Sequence, residues 1–357
     1  MKARVQLEVD LTAITDNYQK IAVHVAPCVV LPVIKYDGYN MGALRVAKTL
    51  KKAGASRFFT ATANEALELC KHGFEVQIAG NVAPFEIPDL INAGVICPIN
   101  SLDGAHLLNA EAARQKKRVE VHFQVDTGMG RDGIPLDKAQ RTIDEARKLP
   151  WLNCSGIYSH FPGALPEFSA FTKRQIIELK KISQNWQCIH WGGSDGMANY
   201  NTTTQAPFTH CRVGLALYGL GSAAMILDLK QVFTLKSTLV LIRELPAGSN
   251  IGYNFTHTLK QRTRVGTVAI GYADGLPIAL SNCGEVIIHG HRCPIIGRVS
   301  MDYITVDLNG VPAIAVGDEV VCLNSEITAT DWAELKQTHS HEILCSLGNR
   351  IKRIYKI

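Results

Sequence analysis

A lysine at the end of an apolar run near the start of the chain is the residue best suited to chemistry. The run 29–34 is rich in β-branched residues and predicts a strand buried on both faces, with Lys35 at its end and a glycine-containing loop at 36–42. Burial lowers the pKa of an ammonium group, which frees the amine to act as a base or nucleophile or to hold an aldehyde. The alternative is a lysine whose head group reaches water.

Other reactive side chains also follow apolar runs. The segment 126–131 reads Asp-Thr-Gly-Met-Gly-Arg and follows the run 119–125, His160 follows 154–158, and the glycine-rich segment 192–196 follows 188–191. If these runs are parallel strands, their carboxyl ends meet at one edge, where such enzymes place their active sites. Each residue alone has a simpler interpretation, such as a hydrogen-bonded core histidine or a surface turn.

The elements that must position these residues alternate along most of the chain. Helical spacing of apolar residues occurs at 42–53, 63–72, 105–114, 138–148 and 168–185, between short apolar runs. Eight such runs, at 29–34, 58–60, 76–78, 95–99, 119–125, 154–158, 188–191 and 211–217, predict an α/β domain of the (β/α)8 TIM-barrel type.

The pattern changes near residue 227. Strand-like runs at 236–243, 264–270, 285–288, 304–308 and 320–323, with one helix-like segment at 329–338 and a basic stretch at 349–355, predict a mainly β-strand second domain. We therefore expect a barrel domain at 9–226 and a β domain at 227–357 that also includes residues 1–8.

Composition excludes several classes of protein. The chain has 357 residues, of which 46% are hydrophobic, and a formal charge of only +5, so it is long enough for two cores and does not indicate nucleic-acid binding. No apolar window reaches the ~18 residues of a membrane span and the start lacks a signal peptide, which predicts a cytoplasmic protein. The ten cysteines show no metal-ligand spacing, so we expect neither disulfides nor a metal.

The candidate residues together suit pyridoxal phosphate, which needs a lysine for its aldehyde, donors for its phosphate and a partner for its ring nitrogen. The segment 35–42 resembles the lysine signature of the alanine racemase family, the pyridoxal phosphate-dependent racemases of fold type III. Six more segments resemble family motifs in the same order, at 126–131, 158–161, 212–219, 252–253, 271–275 and 297–302. The resemblance covers the whole chain.

The resemblance implies a role for each matching residue. Lys35 would hold the cofactor, Tyr39, Ser194 and the amides of Gly214 and Leu215 would bind its phosphate, and His160 would brace its ring. Arg212 would face the ring nitrogen, and a guanidinium, which cannot be deprotonated, would keep that nitrogen unprotonated. A structural alternative for Arg212 is an ion pair with a carboxylate.

Racemisation needs a base on each face of the substrate. Lys35 would serve one face, and the resemblance implies Tyr253, supplied by the partner in a homodimer, for the other. Arg131 and the backbone amide of Met301 would bind the substrate carboxylate. The alternative for Tyr253 is a packed interface residue. The implied activity is interconversion of L- and D-alanine for peptidoglycan synthesis.

Three positions depart from the best-known members. Gln124 stands where many racemases have a carbamylated lysine that orients the arginine matching Arg131, so that arginine must be held by the amide oxygen, another residue or an anion. Asn349 replaces a tyrosine that touches the phosphate, and Ile278 replaces an arginine. Together with the segment 193–200, which is similar to that of some serine-accepting racemases, these changes leave a serine or broad-specificity racemase as an alternative.

Three further functions stay open at this point. A decarboxylase for basic amino acids shares the architecture, but typically has a glutamate and a cysteine where this chain has Arg212 and Tyr253. A non-enzymatic pyridoxal phosphate carrier is a barrel alone. A barrel enzyme that forms a Schiff base with sugars would leave the motifs after residue 227 unexplained.

Overall fold

The computed structural model describes residues 3–357 and divides into two compact units. One unit is Ile14–Lys230, and the other joins the chain up to Ala13 with Gln231–Ile357. In both units the core is formed by side chains that the sequence marks as apolar.

Eight parallel strands close into a barrel in the first unit. They are Val29–Pro32, Arg57–Thr60, Glu75–Ile78, Cys97–Ile99, Val119–Asp126, Leu152–Tyr158, Cys188–Gly192 and His210–Val213. The last strand pairs with the first, and single bridges at Val33–Phe59 and Gln77–Ile96 complete the ring. The predicted barrel is confirmed.

Helices follow the strands around the barrel. They are Ala43–Lys52, Ala63–Lys71, Ile87–Ala93, Leu102–Gln115, Leu136–Ala146, Ser169–Ile182, Ser194–Asn199 and Ser222–Ile226, preceded by Leu11–Val25. Local sequence sets their limits. Thr62, for example, accepts a hydrogen bond from the amide of Glu65, whose carboxylate accepts one from the amide of Thr62, and this reciprocal cap starts Ala63–Lys71.

The eighth predicted strand is shorter than expected. The run 211–217 was expected to be a single strand, but the strand is His210–Val213 and a 3₁₀ helix occupies Leu215–Tyr218. Gly214, at φ −118° and ψ −83°, separates the two. Both parts are buried, so apolar periodicity alone does not distinguish a strand from a buried 3₁₀ turn.

The second unit is mainly β-strand, as predicted. Its strands are Gln6–Asp10, Phe233–Leu245, Asn250–Ile251, His257–Thr258, Thr263–Val268, Glu285–Ile288, His291–Pro294, Ile304–Asp307, Glu319–Leu323 and Lys352–Lys356. The helices Ala329–Lys336 and Ser340–Ser346 precede the last strand.

Strands near both ends of the described chain pair with each other in this unit, a pairing that the sequence did not indicate. Gln6–Asp10 lies between Phe233–Leu245, to which it is antiparallel, and Lys352–Lys356, to which it is parallel. The Glu8 carboxylate pairs with Lys236 at 3.2 Å and also with Lys356. The basic stretch near the end of the chain is therefore part of this sheet, and Glu8 neutralises part of its charge.

Among residues 3–357, we find no helix with the length and apolar character needed to cross a membrane.

Asn17 joins distant parts of the barrel unit and gives a test of this fold. Its buried amide donates to the carbonyls of Leu217 at 3.1 Å and Lys230 at 2.8 Å and accepts from the Lys230 amide at 2.9 Å. We expect Asn17→Ala to lower the free energy of unfolding by about 2–3 kcal/mol, because it leaves buried backbone groups unpaired. Urea unfolding measures this, and Gln19→Ala, at an exposed position of the same helix, is the matched control. Equal stability of the two variants would contradict the assignment.

Candidate active site

Lys35 begins a left-handed turn at the carboxyl end of the first barrel strand. The five residues after it, 36–40, all have positive φ, between 48° and 66°. Such a turn is costly for L-residues, and it is closed by the hydrogen bonds Gly38 N to Ile34 O and Asn40 N to Tyr36 O, each 2.9 Å. The Lys35 side chain is exposed in this chain, so the expectation of a buried ammonium group at the strand end is wrong.

The turn is anchored by Glu65. One carboxylate oxygen of Glu65 accepts from the Tyr36 amide at 2.5 Å, and the other accepts from the Ala61 amide at 2.9 Å. Glu65 was not predicted from the sequence, where its position three residues after Thr62 is typical of a helix-starting residue. In the structure the same carboxylate also fixes the residue next to Lys35.

Tyr39, Ser194 and Gly214, the predicted phosphate residues, are brought together. The Tyr39 side chain is buried, and its hydroxyl oxygen is so close to Gly214 that a Cβ there would lie 2.4 Å from it. The Ser194 hydroxyl accepts from the amide of Ala216, next to Leu215, at 3.1 Å. The hydroxyl of Tyr218, which is fully buried, has no hydrogen-bond partner within the described part of the chain. This group of hydroxyls and amides can bind an anion.

Arg212 is a buried cation at the end of the last strand, with only 4% of its surface exposed. Its Nη2 donates to the Ser159 carbonyl at 2.7 Å, and its Nη1 is 2.5 Å from His190 Nδ1. The guanidinium also lies over the rings of Phe59 and Tyr158. Burial lowers the pKa of Arg212 to about 10, so the group is charged near neutral pH. None of these contacts is with a carboxylate, so they do not support the alternative of an ion pair for Arg212.

His160 lies beside Arg212 and is neutral. Its Nδ1 is 3.3 Å from Arg212 Nη2. Burial, and then the positive charges of Arg212, Arg131 and Lys35, lower the pKa of His160 to about 3. Three cations that the sequence predicted for the site therefore all lower the pKa of the His160 ring.

Arg131 lies in a loop that is shaped by a single carboxylate. Asp126 accepts hydrogen bonds from the amides of Gly128 and Met129, each at 2.8 Å, and from that of Gly130. Arg131 is exposed at the end of this loop. The amide oxygen of Gln124, one of the groups considered for holding Arg131, accepts instead from the Tyr158 hydroxyl at 3.1 Å.

Tyr253 and Met301 meet at a surface cavity of about 460 Å³ in the second unit. Tyr253 is 69% exposed and follows Gly252, whose positive φ of 71° favours glycine, and Met301 is 52% exposed. Ile278 lines the same cavity. Exposure on a single chain is compatible both with the predicted role of Tyr253 and with the alternative of a packed interface residue.

The loop that carries Met301 is held by Arg350, the neighbour of the exposed Asn349. Arg350 donates through Nη2 to Asp302 at 2.8 Å and through Nε to Asp274 at 2.8 Å. The backbone amides of Tyr272 and Ala273 donate to the carbonyls of Ser300 and Met301. Sequence analysis treated Arg350 only as part of a basic stretch.

One polar residue of the barrel interior, His190, was also not predicted. His190 contacts Arg212, and its ring is stacked on that of Tyr158 with centroids 4.7 Å apart. The sequence signal was present, since a histidine stands two residues before Gly192 in an otherwise apolar strand, but only the barrel shows that it points toward Arg212.

Known proteins resemble the whole chain. The sequence profile of the alanine racemase N-terminal domain matches residues 9–222, and that of the alanine racemase C-terminal domain matches residues 232–355. Alanine racemase 2 of Caldanaerobacter subterraneus subsp. tengcongensis is 34% identical over 368 residues, covering 98% of this chain and 94% of the relative. The alanine racemase of Halothermothrix orenii is 32% identical over 366 residues, covering 98% and 96%.

Solved structures show the same architecture. The alanine racemase of Clostridium difficile 630 superposes with a TM-score of 0.94 at 27% identity, covering 100% of this chain and 96% of that one. The alanine racemase of Bartonella henselae, which has covalently bound pyridoxal phosphate, gives 0.90 at 28% identity, covering 99% and 100%.

A (β/α)8 barrel with a cationic site at its strand ends, followed by a mainly β-strand unit, defines the class of fold-type III enzymes. Within that class, the chain belongs to the alanine racemase family. The predicted family, fold class and isomerase activity are confirmed.

The neutral state of His160 predicts a pH-dependent stability. An unfolded histidine has a pKa near 6.5, whereas that of His160 is about 3, so the unfolded chain binds one more proton between these values. The folded state therefore loses stability as pH falls below about 6.5, by up to about 1.4 kcal/mol per pH unit for this group.

We expect His160→Gln to reduce the slope of the free energy of unfolding against pH by the contribution of about one proton. Urea unfolding between pH 4.5 and 7.5 measures this slope, over a range set by that pKa difference of roughly three units. His106→Gln, on an exposed helix face, is the matched control. An unchanged slope in His160→Gln would show that His160 is protonated in the folded state.

Proposed function

We propose that this protein interconverts L- and D-alanine with pyridoxal phosphate as its cofactor, using Lys35 and Tyr253 as the two proton-transferring groups. One observation carries the proposal: Arg212, His160 and the group formed by Tyr39, Ser194 and Gly214 lie at the same end of the barrel as Lys35. A supply of D-alanine for peptidoglycan is the role that we propose in the cell.

The residues present fit the cofactor. A phosphate needs several donors in a place where the backbone can come close, and Gly214 leaves no room for a Cβ beside the Tyr39 hydroxyl. Gly192 is equally restricted, since a Cβ there would lie 2.3 Å from both Arg212 Nη2 and His160 Nδ1. The buried Tyr218 hydroxyl supplies a further polar atom without a partner among the described residues. We propose that Tyr39, Ser194 and the amides of Gly214 and Leu215 hold the phosphate.

Pyridoxal phosphate, when bound, acidifies the Cα–H bond of an amino acid by withdrawing electrons from it. Arg212 tunes that effect, because a guanidinium can only donate and keeps the ring nitrogen it faces an acceptor. A neutral His160 braces the ring without adding a second charge. Lys35 holds the cofactor by its amine and moves the Cα proton on one face of the substrate.

Tyr253 is proposed to move the proton on the other face, across a dimer interface. Its phenol is 69% exposed on a single chain, together with Met301 at the same cavity, which suits residues completed by a second copy. We propose a homodimer in which each site takes Tyr253 and the Met301 amide from the partner, while Arg131 binds the substrate carboxylate from the barrel side.

Alanine is the proposed substrate, with serine or a broader range as the alternative. Gln124 is engaged with Tyr158, and Asn349 and Ile278 are smaller or less polar than the family residues they replace, which supports a site that tolerates more than a methyl group. We also propose the cytoplasm as its location, and 9–226 and 227–357 with 1–8 as its domains, as the sequence indicates.

Removal of the Tyr253 hydroxyl tests the second base. Tyr253→Phe should lower the rate of racemisation by about 10²–10⁴-fold, the usual contribution of a positioned acid or base, while cofactor absorbance persists. The assay follows optical rotation and Cα deuteration of L-alanine in deuterated water, with L-serine in parallel. Tyr303→Phe, at another exposed tyrosine of the same unit, is the control. Retained activity in Tyr253→Phe would refute the two-base assignment, and release of carbon dioxide would indicate a decarboxylase.

Mixed dimers test whether the site is shared. Lys35→Ala and Tyr253→Phe chains are each inactive if both residues are needed, but a mixed dimer rebuilds one complete site from the intact Lys35 of one chain and the intact Tyr253 of the other. Refolding them together at equal amounts should restore about a quarter of full activity, because about half of the twofold dimers are mixed and each has one good site. No recovery despite mixed dimers detected by native mass spectrometry would place both residues in one chain.

A further inference from the structure

Three buried polar side chains lie behind Arg212 in the interior of the barrel. Gln77, His122 and His190 are each fully buried, and the proposed function uses neither Gln77 nor His122. Buried polar groups of this kind are costly unless they are hydrogen-bonded. Their contacts form a continuous path from Arg212 toward the amino end of the strands.

The direction of each contact is fixed by Arg212. A guanidinium has only donors, so His190 Nδ1, 2.5 Å from Arg212 Nη1, must accept, and the His190 proton lies on Nε2. His190 Nε2 is 3.2 Å from His122 Nδ1, which then accepts in turn. Gln77 Nε2, 2.9 Å away, donates to the same His122 Nδ1. The proton of His122 therefore also lies on Nε2.

The path ends at a carboxylate. His122 Nε2 has no hydrogen-bond partner among the described residues and lies 3.5 Å from Glu120 Oε1, an electrostatic contact near the start of the strand Val119–Asp126. Glu120 also accepts from the Ser155 hydroxyl at 2.7 Å and pairs with Arg57 at 3.5 Å. The contact with His122 is the largest cause that lowers the pKa of Glu120, to about 2, so this end of the path is a permanent acceptor.

Both histidines are neutral, which the path requires. Burial is the largest cause that lowers the pKa of His122 and of His190, and the charge of Arg212 adds to it in both. A proton added to either ring would place a donor where the path needs an acceptor. The barrel interior therefore has fixed charges at its two ends and neutral rings between them.

A metal is the competing explanation, because ligand atoms of His122, Cys188 and His190 lie within 4.8 Å of one another. A metal at His190 Nε2 would move the His190 proton to Nδ1, against the guanidinium of Arg212. Cys188 Sγ is moreover in contact with His210 Nδ1 at 3.3 Å, and burial raises the pKa of its thiol to about 12. The contacts of Arg212 favour hydrogen bonding over coordination.

We propose that Glu120 is a positioning residue for Arg212: by attracting the Nε2 proton of His122 toward its carboxylate oxygen, it sets the donor direction through His190 and keeps His190 an acceptor for the guanidinium. The inference rests on the proposed function only in taking Arg212 to face the cofactor. Glu120 itself touches neither substrate nor cofactor and acts from the opposite end of the strands.

The proton positions can be observed directly. In the full-length protein labelled with ¹⁵N-histidine, with and without pyridoxal phosphate, the signals of His122 and His190 are assigned from His122→Gln and His190→Gln. Both rings should be neutral, with the proton on Nε2, at pH 6 to 9, the range over which an ordinary histidine with a pKa of about 6.5 loses its proton. A proton on Nδ1 of His190, or stoichiometric binding of added Zn²⁺ to the two rings, would overturn the proposal.

Variants at the amino end test the role of Glu120. Glu120→Ala should allow the His122 proton to move to Nδ1 and should weaken pyridoxal phosphate binding by about fivefold, the size of one lost hydrogen bond. Glu120→Gln keeps an acceptor oxygen and should restore both. Glu75→Ala, which removes another carboxylate that pairs with Arg57, is the matched control and should change neither.

These outcomes are separate from those for the proposed function. Identical histidine signals in Glu120→Ala and Glu75→Ala would overturn the positioning role even in an active racemase. If Glu120→Ala does not fold, the positioning role is still tested by Glu120→Gln and by the proton positions in the unmodified protein. An inactive protein with the expected proton positions would refute the racemase and leave this inference in place.

Discussion

The buried charge of Arg212 is the constraint on which the barrel unit depends. A guanidinium with 4% exposure is stable only if its donors are matched, and here the Ser159 carbonyl, His190 and His160 surround it, with the rings of Phe59 and Tyr158 on its faces. The small size of Gly192 is a consequence, because a side chain there would collide with both Arg212 and His160. Several strands are thus shaped around one cation.

The charge also determines the chemistry that its neighbours can perform. Burial and then this charge lower the pKa of His160 and keep it neutral, and with Arg131 and Lys35 the charge makes this end of the barrel strongly positive. A positive site of this kind attracts anionic groups such as a phosphate or a carboxylate. In the proposed function it serves both, since the cofactor and the substrate each bring an anion to the same place.

The left-handed turn after Lys35 shows how the fold places the reactive amine. Five residues in a costly backbone conformation are held by their own hydrogen bonds and by Glu65. Strained backbone of this kind is kept where surrounding contacts determine it. The turn brings Tyr39 inward to Gly214 and leaves Lys35 exposed, so one short segment separates the side chain proposed to bind phosphate from the amine.

The sequence by itself determined the periodic elements and the family, and through the family it supplied the residues proposed to be reactive. Eight apolar runs at regular intervals give the barrel because short-range periodicity specifies strands and helices, and the family motifs supply Lys35, Arg212 and Tyr253 with their neighbours. The change in pattern near residue 227 also marked the start of the β-strand unit.

Only the tertiary structure decided contacts between residues distant in sequence. The pairing of Gln6–Asp10 with Lys352–Lys356, the anchoring of Tyr36 by Glu65 and the path from Arg212 to Glu120 join residues that are separated by tens to hundreds of positions. The exposure of Lys35 likewise follows from a left-handed turn that no apolar pattern reveals. Apolar periodicity indicates which side chains face the core, whereas the partner of a buried polar group is determined only when the strands close into a barrel.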